Sequence, residues 1–77
     1  MIKNNEIARG VRVVLNSEFV EKCIGDKFLK EEEFLFIEEA SVYNDPNGAY
    51  VHIKGASRIN SGYAYLNQLD LQYPIPS

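Results

Sequence analysis

The only histidine and the only cysteine of the chain, His52 and Cys23, are its candidates for metal binding and nucleophilic catalysis. Together they supply two of the four ligands that a tetrahedral zinc site requires. A catalytic cysteine needs an exposed thiol with a lowered pKa, whereas Cys23 lies four residues after Phe19 on the apolar face of a predicted helix. We therefore predict that Cys23 is structural and that His52 is a half-exposed strand residue.

The remaining polar motifs do not match a known catalytic or ligand-binding pattern. The run Glu31-Glu32-Glu33 has neither the alternating acids nor the glycine of a calcium loop, so we interpret it as a solvated face. Residues 55–62 are small and polar but lack the Gly-Lys-Ser/Thr ending of a phosphate-binding loop. We expect no catalytic residue, no bound metal and no cofactor, and hence a protein that is not an enzyme.

The composition predicts one small globular domain over residues 1–77. The 77 residues are 45% hydrophobic and 25% charged, enough for a single modest core. No apolar run approaches the roughly 20 residues of a membrane span, and residues 1–6 lack the apolar stretch of a signal peptide. With a single cysteine, a cytoplasmic location without a membrane partner is expected. Residues 1–6 are predicted to fray and residues 74–77 to form an extended tail.

Charge is distributed unevenly along the chain, whose net charge is −3. Residues 31–50 contain six acids and no base, a local charge of −6. Such a block is either a solvated face or a patch that steers a basic partner toward the domain. General affinity for nucleic acid requires clustered Lys and Arg, so the acidic block disfavours it.

The first half of the chain predicts two strands separated by a long connection. Residues 10–15 alternate as a strand, and residues 16–25 form a short helix that Ser17 begins and Gly25 ends, with a long ordered loop as the alternative. Residues 33–42 are predicted as one strand that is apolar on both faces at its start, with Phe34 and Phe36 on one side.

The second half predicts a hairpin followed by two short strands. Pro46 presets a turn and Gly48 supplies a positive φ, so strands are expected on both sides of residues 44–48. Residues 49–54 and 63–66 continue the sheet across a looser turn at 55–62, and residues 69–71 close it after a tight corner at 67–68. The period-2 alternation predicts a core of Val11, Val13, Leu15, Phe34, Phe36, Val51, Ile53, Leu66 and Leu71.

This pattern resembles an SH3-like small barrel. The resemblance rests on the opening strand at residues 10–15, the strand at 33–42 after a long loop, and the strand, corner and final strand at 62–71. It implies a mainly-β fold, a five-stranded small barrel with one short helix in the first long connection. The chain lacks the tryptophan and the Ala-Leu-Tyr-Asp-Tyr opening of the members that bind proline-rich peptides, so the resemblance does not extend to that ligand.

A second, looser resemblance concerns origin. Seven Asn, seven Ile and only three Arg are typical of an AT-rich genome, and a short acidic chain of this kind is similar to the small accessory proteins of tailed phages. Many of those act by binding a host protein. The resemblance implies a phage-encoded inhibitor of a host defence protein, located in the host cytoplasm.

The tyrosines are the most prominent candidates for a binding surface. All five lie in the second half of the chain, and Tyr50 alternates out of phase with Val51 and Ile53. Tyrosine is favoured at protein interfaces because it contributes a large area at low entropic cost. We predict that a partner with a basic surface binds at these tyrosines and the neighbouring acids, with the alternative that two or three of the rings belong to the core or to the rim of the barrel. The predicted contact residues are Tyr43, Asp45, Tyr50, His52, Glu31, Glu32 and Glu38.

Two functions and one assembly state are thus expected from the sequence. The first function is a protein-binding module; the alternative is a nucleic-acid-binding small barrel that uses Arg9, Arg12, Lys54, Arg58 and exposed tyrosines. A homodimer is expected as well, because a core this small gains from an added interface and the closing strand is an unprotected edge. Tyr73 and Ile75 are its predicted contacts.

Overall fold

The predicted mainly-β class is confirmed by the computed structural model, which describes residues 1–16, 24–25 and 29–72. One antiparallel sheet follows the order β2-β6-β5-β3-β1-β7, and β4 also pairs with β5. Within the described residues the sheet is open, because β2 and β7 each pair with one strand. The strands are Arg12–Leu15 (β1), Ile24–Gly25 (β2), Leu35–Ile37 (β3), Tyr43–Asp45 (β4), Gly48–Gly55 (β5), Ser61–Tyr65 (β6) and Leu69–Leu71 (β7).

Helical structure in the described part of the chain consists of short 3-10 turns, at Asn4–Glu6, Leu29–Glu31 and Leu66–Gln68. Residues 17–23 of the predicted helix, including Cys23, lie outside the described residues. The prediction that the helix continues to Gly25 is wrong. Ile24 and Gly25 pair with Tyr63 and Gly62 of β6, because the edge of the sheet offers them hydrogen-bonding partners.

The hairpin predicted at residues 44–48 is confirmed. Asp45 pairs with Gly48 across a two-residue loop, and Gly48 has a φ of +134°. The Asp45 carboxylate accepts a hydrogen bond from the Asn47 backbone N–H at 2.7 Å, a local bond that stabilises such turns. The corner before β7 is also confirmed, as the 3-10 turn Leu66–Gln68, with the buried Gln68 side chain accepting from the Tyr65 backbone N–H at 2.9 Å.

The single strand predicted over residues 33–42 is interrupted. Ile37 pairs with Ile53 and Tyr43 pairs with Tyr50. Between these two pairs the segment uses six residues where β5 uses three, so three extra residues bulge out of the pairing. A continuous strand would turn Glu39 toward the core together with Leu35 and Ile37, and burying an unpaired carboxylate is costly. The extra residues keep Glu39 exposed and bring Tyr43 to the opposite face of the sheet.

The core lies on one face of the sheet and differs in part from the predicted one. Val13, Val51, Ile53 and Leu66 are buried as predicted, and Val11, Leu15 and Leu71 pack partly buried against them. The assignment of Phe34 and Phe36 to the core is wrong. The register pairs Leu35 with Val13 and Ile37 with Ile53, so it is these two side chains that are buried, and both phenylalanines lie half-buried on the other face.

The N-terminal segment, predicted to fray, packs against β7 instead. Ile2 is buried, and its backbone N–H donates to the Leu69 carbonyl at 2.8 Å. The Met1 amino group contacts the Asp70 carboxylate. The predicted tail at residues 74–77 and the predicted dimer contacts Tyr73 and Ile75 lie outside the described residues. None of the helices in the described part of the chain has the length and apolar character needed to span a bilayer.

A tyrosine cluster on the outer face of the sheet

The side of the sheet opposite the core, here called the outer face, is formed by alternate residues of neighbouring strands. On β5 these are Tyr50, His52 and Lys54, whereas Val51 and Ile53 between them are buried. Their cross-strand partners on β6 are Tyr65, Tyr63 and Ser61, and on β4 and β3 they are Tyr43 and Phe36. The pairing register therefore brings aromatic side chains from four strands to one surface.

Five of these side chains form what we call the tyrosine cluster: Tyr43, Tyr50, His52, Tyr63 and Tyr65. Tyr50 is at its centre, with ring centroids 4.7 Å from Tyr63, 5.6 Å from Tyr43 and 6.0 Å from Tyr65. The ring of His52 lies 5.1 Å from Tyr43 and 6.0 Å from Tyr63. These are the separations of favourable aromatic pairs, so the rings hold one another in place.

Exposure within the tyrosine cluster rises from one side to the other. Tyr65 is buried, whereas Tyr50, His52 and Tyr63 are half-buried. Tyr43, on the short strand β4, is 37% exposed and stacks on Tyr50 with an angle of 23° between the rings. The cluster thus presents Tyr43 to solvent on a support of packed rings.

Two carboxylates accept hydrogen bonds from the hydroxyls of the tyrosine cluster. Tyr43 donates to Glu39 Oε1 at 2.5 Å, and Tyr65 donates to Asp45 Oδ2 at 2.7 Å. Each bond raises the pKa of its tyrosine, because a hydroxyl that donates to a carboxylate loses its proton less readily. Glu38 forms an ion pair with Lys54 at 3.4 Å.

A second aromatic group on the outer face, here called the phenylalanine–arginine patch, consists of Phe34, Phe36, Arg12 and Arg58. The Arg12 guanidinium lies 3.9 Å from the centroid of the Phe34 ring, and the Arg58 guanidinium 5.9 Å from that of Phe36. Both separations are within the range of cation–π contacts. The side of the outer face toward β1 is therefore basic, and the side toward β4 is acidic.

The predicted site residues do not all belong to one surface. Tyr43, Asp45, Tyr50 and His52 come together, with Glu38 beside Lys54. Glu31 and Glu32 lie at the other end of β5, where they border a shallow, open depression with Ala56 and Ser57. Five residues of strand between Tyr50 and Gly55 correspond to about 17 Å.

Glu32 is bound within the protein by the turn between β5 and β6. Its carboxylate accepts from the Ser57 backbone N–H and hydroxyl, both at 2.8 Å, and from the Asn60 amide at 2.5 Å. These bonds, above all that from the Ser57 N–H, lower the pKa of Glu32. Its contacts are those of a residue that stabilises the turn.

Tyr63, Tyr65 and Lys54 are members of the outer face that the predicted site did not include. The alternation of β6 already places Tyr63 and Tyr65 on one face, but only the register with β5 shows that they meet Tyr50 and His52. The sequence signal that could have identified them is the Tyr63-x-Tyr65 pattern on one predicted strand, next to the Tyr50-x-His52 pattern on the preceding strand.

The chemistry available at the outer face is stacking, hydrogen bonding and ion pairing. In the described ranges 1–16, 24–25 and 29–72, no three His, Cys, Asp or Glu side chains are grouped so that they could hold a metal ion. Neither protein-family models, nor curated proteins, nor solved structures match this chain in comparison.

Proposed function

We propose that the chain is a non-enzymatic protein-binding module whose interface is centred on the tyrosine cluster. The observation that supports this is the packing of five aromatic rings on the side of the sheet that faces away from the core, with Tyr43 37% exposed. Among the described residues, the cluster of buried side chains on the other face includes none of these rings, although Tyr65 is itself buried.

Preorganisation of the rings favours binding. The tyrosine cluster spans three paired strands, and each ring contacts at least one other. Because the side chains are already held in place, binding of a partner costs little side-chain entropy. Clustered tyrosines surrounded by polar groups are typical of the residues that dominate the energy of protein interfaces.

The charges beside the tyrosine cluster favour a partner with a basic surface. Glu38, Glu39 and Asp45 border it, and Lys54 is the cation paired with one of them. The local excess of negative charge attracts a basic partner and repels an acidic one.

The strand order favours an SH3-like arrangement within this proposal. Five strands follow the order β6-β5-β3-β1-β7, and the last strand of the sheet pairs with the first after a 3-10 turn. As the biological setting we propose inhibition of a host defence protein by a small phage-type accessory protein, since such a protein needs a binding surface and no active site.

Photo-crosslinking tests the proposed interface. Benzoylphenylalanine is introduced at position 43 and, as the control, at position 59, because Ile59 is 83% exposed and lies on the turn beyond β5. In a lysate of the host, we expect a specific protein adduct from position 43 that Tyr50→Ala abolishes. Equal adducts from both positions, or none from position 43, would contradict the proposal.

A nucleic-acid-binding surface is the second candidate, favoured by the phenylalanine–arginine patch. Arg12, Arg58 and the two phenylalanines offer the cation and stacking groups that single strands use. The test is binding of a single-stranded oligonucleotide. A fall in affinity by orders of magnitude between about 50 and 200 mM salt, together with loss of binding in an Arg12→Ala/Arg58→Ala variant, would favour this function over protein binding.

A further inference from the structure

We infer that the tyrosine cluster receives an arginine side chain of the partner, stacked on Tyr43 and paired with Glu39. This inference rests on the proposed function, because it names the chemical group that the protein-binding surface recognises. It follows from the state of each carboxylate beside the tyrosine cluster and from the shape of the exposed ring surface.

Glu39 is the carboxylate that remains available for a partner. Its Oε1 accepts the hydrogen bond of the Tyr43 hydroxyl, whereas no described residue donates to Oε2 or forms an ion pair with Glu39. Glu39 is exposed, so a cation reaches it without rearrangement of the chain. A carboxylate with one oxygen bound and one free can still accept a charge-assisted hydrogen bond.

The other two carboxylates are already engaged. Both oxygens of Asp45 accept hydrogen bonds, one from the Asn47 backbone N–H and one from the Tyr65 hydroxyl, each at 2.7 Å. Glu38 Oε1 lies 3.4 Å from Lys54 Nζ, so the charge of Glu38 is compensated by a cation within the chain. The position that attracts an incoming cation is therefore the one beside Tyr43.

The exposed ring surface favours a planar cation. Tyr43 stacks on Tyr50 with an interplanar angle of 23°, and the rings pack against one another, so they present a surface to a ligand. A guanidinium can lie on such a ring and form a hydrogen bond in its own plane at the same time, which a lysine ammonium cannot do as well. The outer face already contains one contact of this kind, with Arg12 over Phe34 at 3.9 Å.

The experiment is an NMR titration of the full chain with acetyl-Gly-Arg-Gly-amide, with the lysine peptide acetyl-Gly-Lys-Gly-amide as its counterpart. We expect the arginine peptide to shift the ring resonances of Tyr43 and Tyr50, and the lysine peptide to bind about two- to fivefold more weakly. Tyr43→Ala is expected to remove the response, whereas Tyr43→Phe retains the stacking part.

A matched pair of charge variants tests the role of Glu39. Glu39→Gln and Glu31→Gln make the same change at two exposed carboxylates, one beside Tyr43 and one at the other end of β5. We expect Glu39→Gln to weaken binding of the arginine peptide several-fold and Glu31→Gln to leave it unchanged, with unperturbed amide spectra showing that both variants are folded.

Three results would overturn the inference. They are equal binding of the two peptides, equal effects of Glu39→Gln and Glu31→Gln, and ring shifts produced by a short oligonucleotide but not by the arginine peptide. If crosslinking from position 43 succeeds while the arginine peptide produces no shift, the inference fails and the proposed protein-binding function stands. If both fail, the proposed function fails with it.

Discussion

Both faces of the sheet carry large apolar or aromatic side chains, but the two faces differ in what covers those side chains. On the inner face Val13, Leu35, Ile37, Val51 and Ile53 are each 5% exposed or less. On the outer face the aromatic residues of β3, β5 and β6 are mostly half-buried and are covered by one another and by arginine side chains.

This difference shows that large aromatic side chains do not by themselves mark the core. Aliphatic side chains interdigitate against the 3-10 turns and the N-terminal segment, which close the inner face. Rings that pair with each other on a sheet surface keep one side toward water. The inner face accounts for most of the buried apolar surface, and the outer face is the surface to which we assign recognition.

The largest effect is expected from truncating the inner face. Ile37→Ala removes a fully buried side chain and leaves a cavity, which should destabilise the protein by about 2–5 kcal/mol. The neighbouring Phe36→Ala removes more atoms but from a half-buried position, so its cost should be smaller. Urea unfolding of both variants measures the difference, and a greater loss for Phe36→Ala would reverse the assignment of the faces.

The next effect is expected at the end of the inner face, where Gly55 meets Glu32. A Cβ at position 55 would overlap the side chain of Glu32, which would have to leave its hydrogen bonds with Ser57 and Asn60. Gly55→Ala should therefore destabilise the protein by about 1–3 kcal/mol. In a Glu32→Ala background the same substitution should cost less, because the side chain that the Cβ overlaps is absent. If Gly55→Ala unfolds at the same temperature as the wild type, the Glu32 side chain moves aside without a loss of stability.

A smaller and pH-dependent effect is expected from Glu32→Gln. Hydrogen bonds lower the pKa of Glu32 below its ordinary value of 4.5, so its carboxylate stabilises the fold fully above that value. This stabilisation is lost as the pH falls through the lowered pKa of the folded protein. The stability gap between wild type and Glu32→Gln should thus narrow in acid.

Glu33→Gln is the control for the pH series, since no hydrogen bond to its exposed carboxylate is present among the described residues. Denaturant unfolding between neutral and acid pH provides the measurement. If the stability difference between wild type and Glu32→Gln is constant with pH, or if Glu33→Gln shows the same pH dependence, Glu32 is not the source of the effect.

The smallest effect on stability is expected on the outer face. Tyr43→Ala removes a ring that is 37% exposed and stacked on Tyr50, a change worth about 1 kcal/mol or less. The same variant should lose the binding that we assign to the tyrosine cluster. A loss comparable to that of Ile37→Ala would mean that the outer face is a second core, and the contrast between the faces would then not hold.

Local turn chemistry was the most predictable part of the fold. Asn44-Asp45-Pro46-Asn47-Gly48 contains its own hydrogen-bonding partner and its own positive-φ residue, so the hairpin follows from five neighbouring residues. The interruption of residues 38–42 was not predicted. It depends on the register with β5, which no local pattern contains.

The candidate site was predictable only in part for the same reason. Tyr50 and His52 could be placed on one face by their alternation with Val51 and Ile53. Tyr63 and Glu39 were not included, because their contacts with Tyr50 and Tyr43 depend on a cross-strand pairing and on the extra residues before β4. Glu32 was included in the predicted site because the sequence does not show that its carboxylate is already bound. Its partners, Ser57 and Asn60, lie 25 and 28 positions away.

By itself, the sequence determined the mainly-β class, the hairpin, the corner before the last strand and the acidic character of residues 31–50, because these depend on neighbouring residues and composition. Only the tertiary structure decided which apolar face is buried. Phe36 and Ile37 are both large and apolar, and the pairing of Ile37 with the buried Ile53 places Ile37 on the core side. The tertiary structure likewise decided that Tyr43 stacks on Tyr50 beside Glu39, since contacts across a sheet are determined by register.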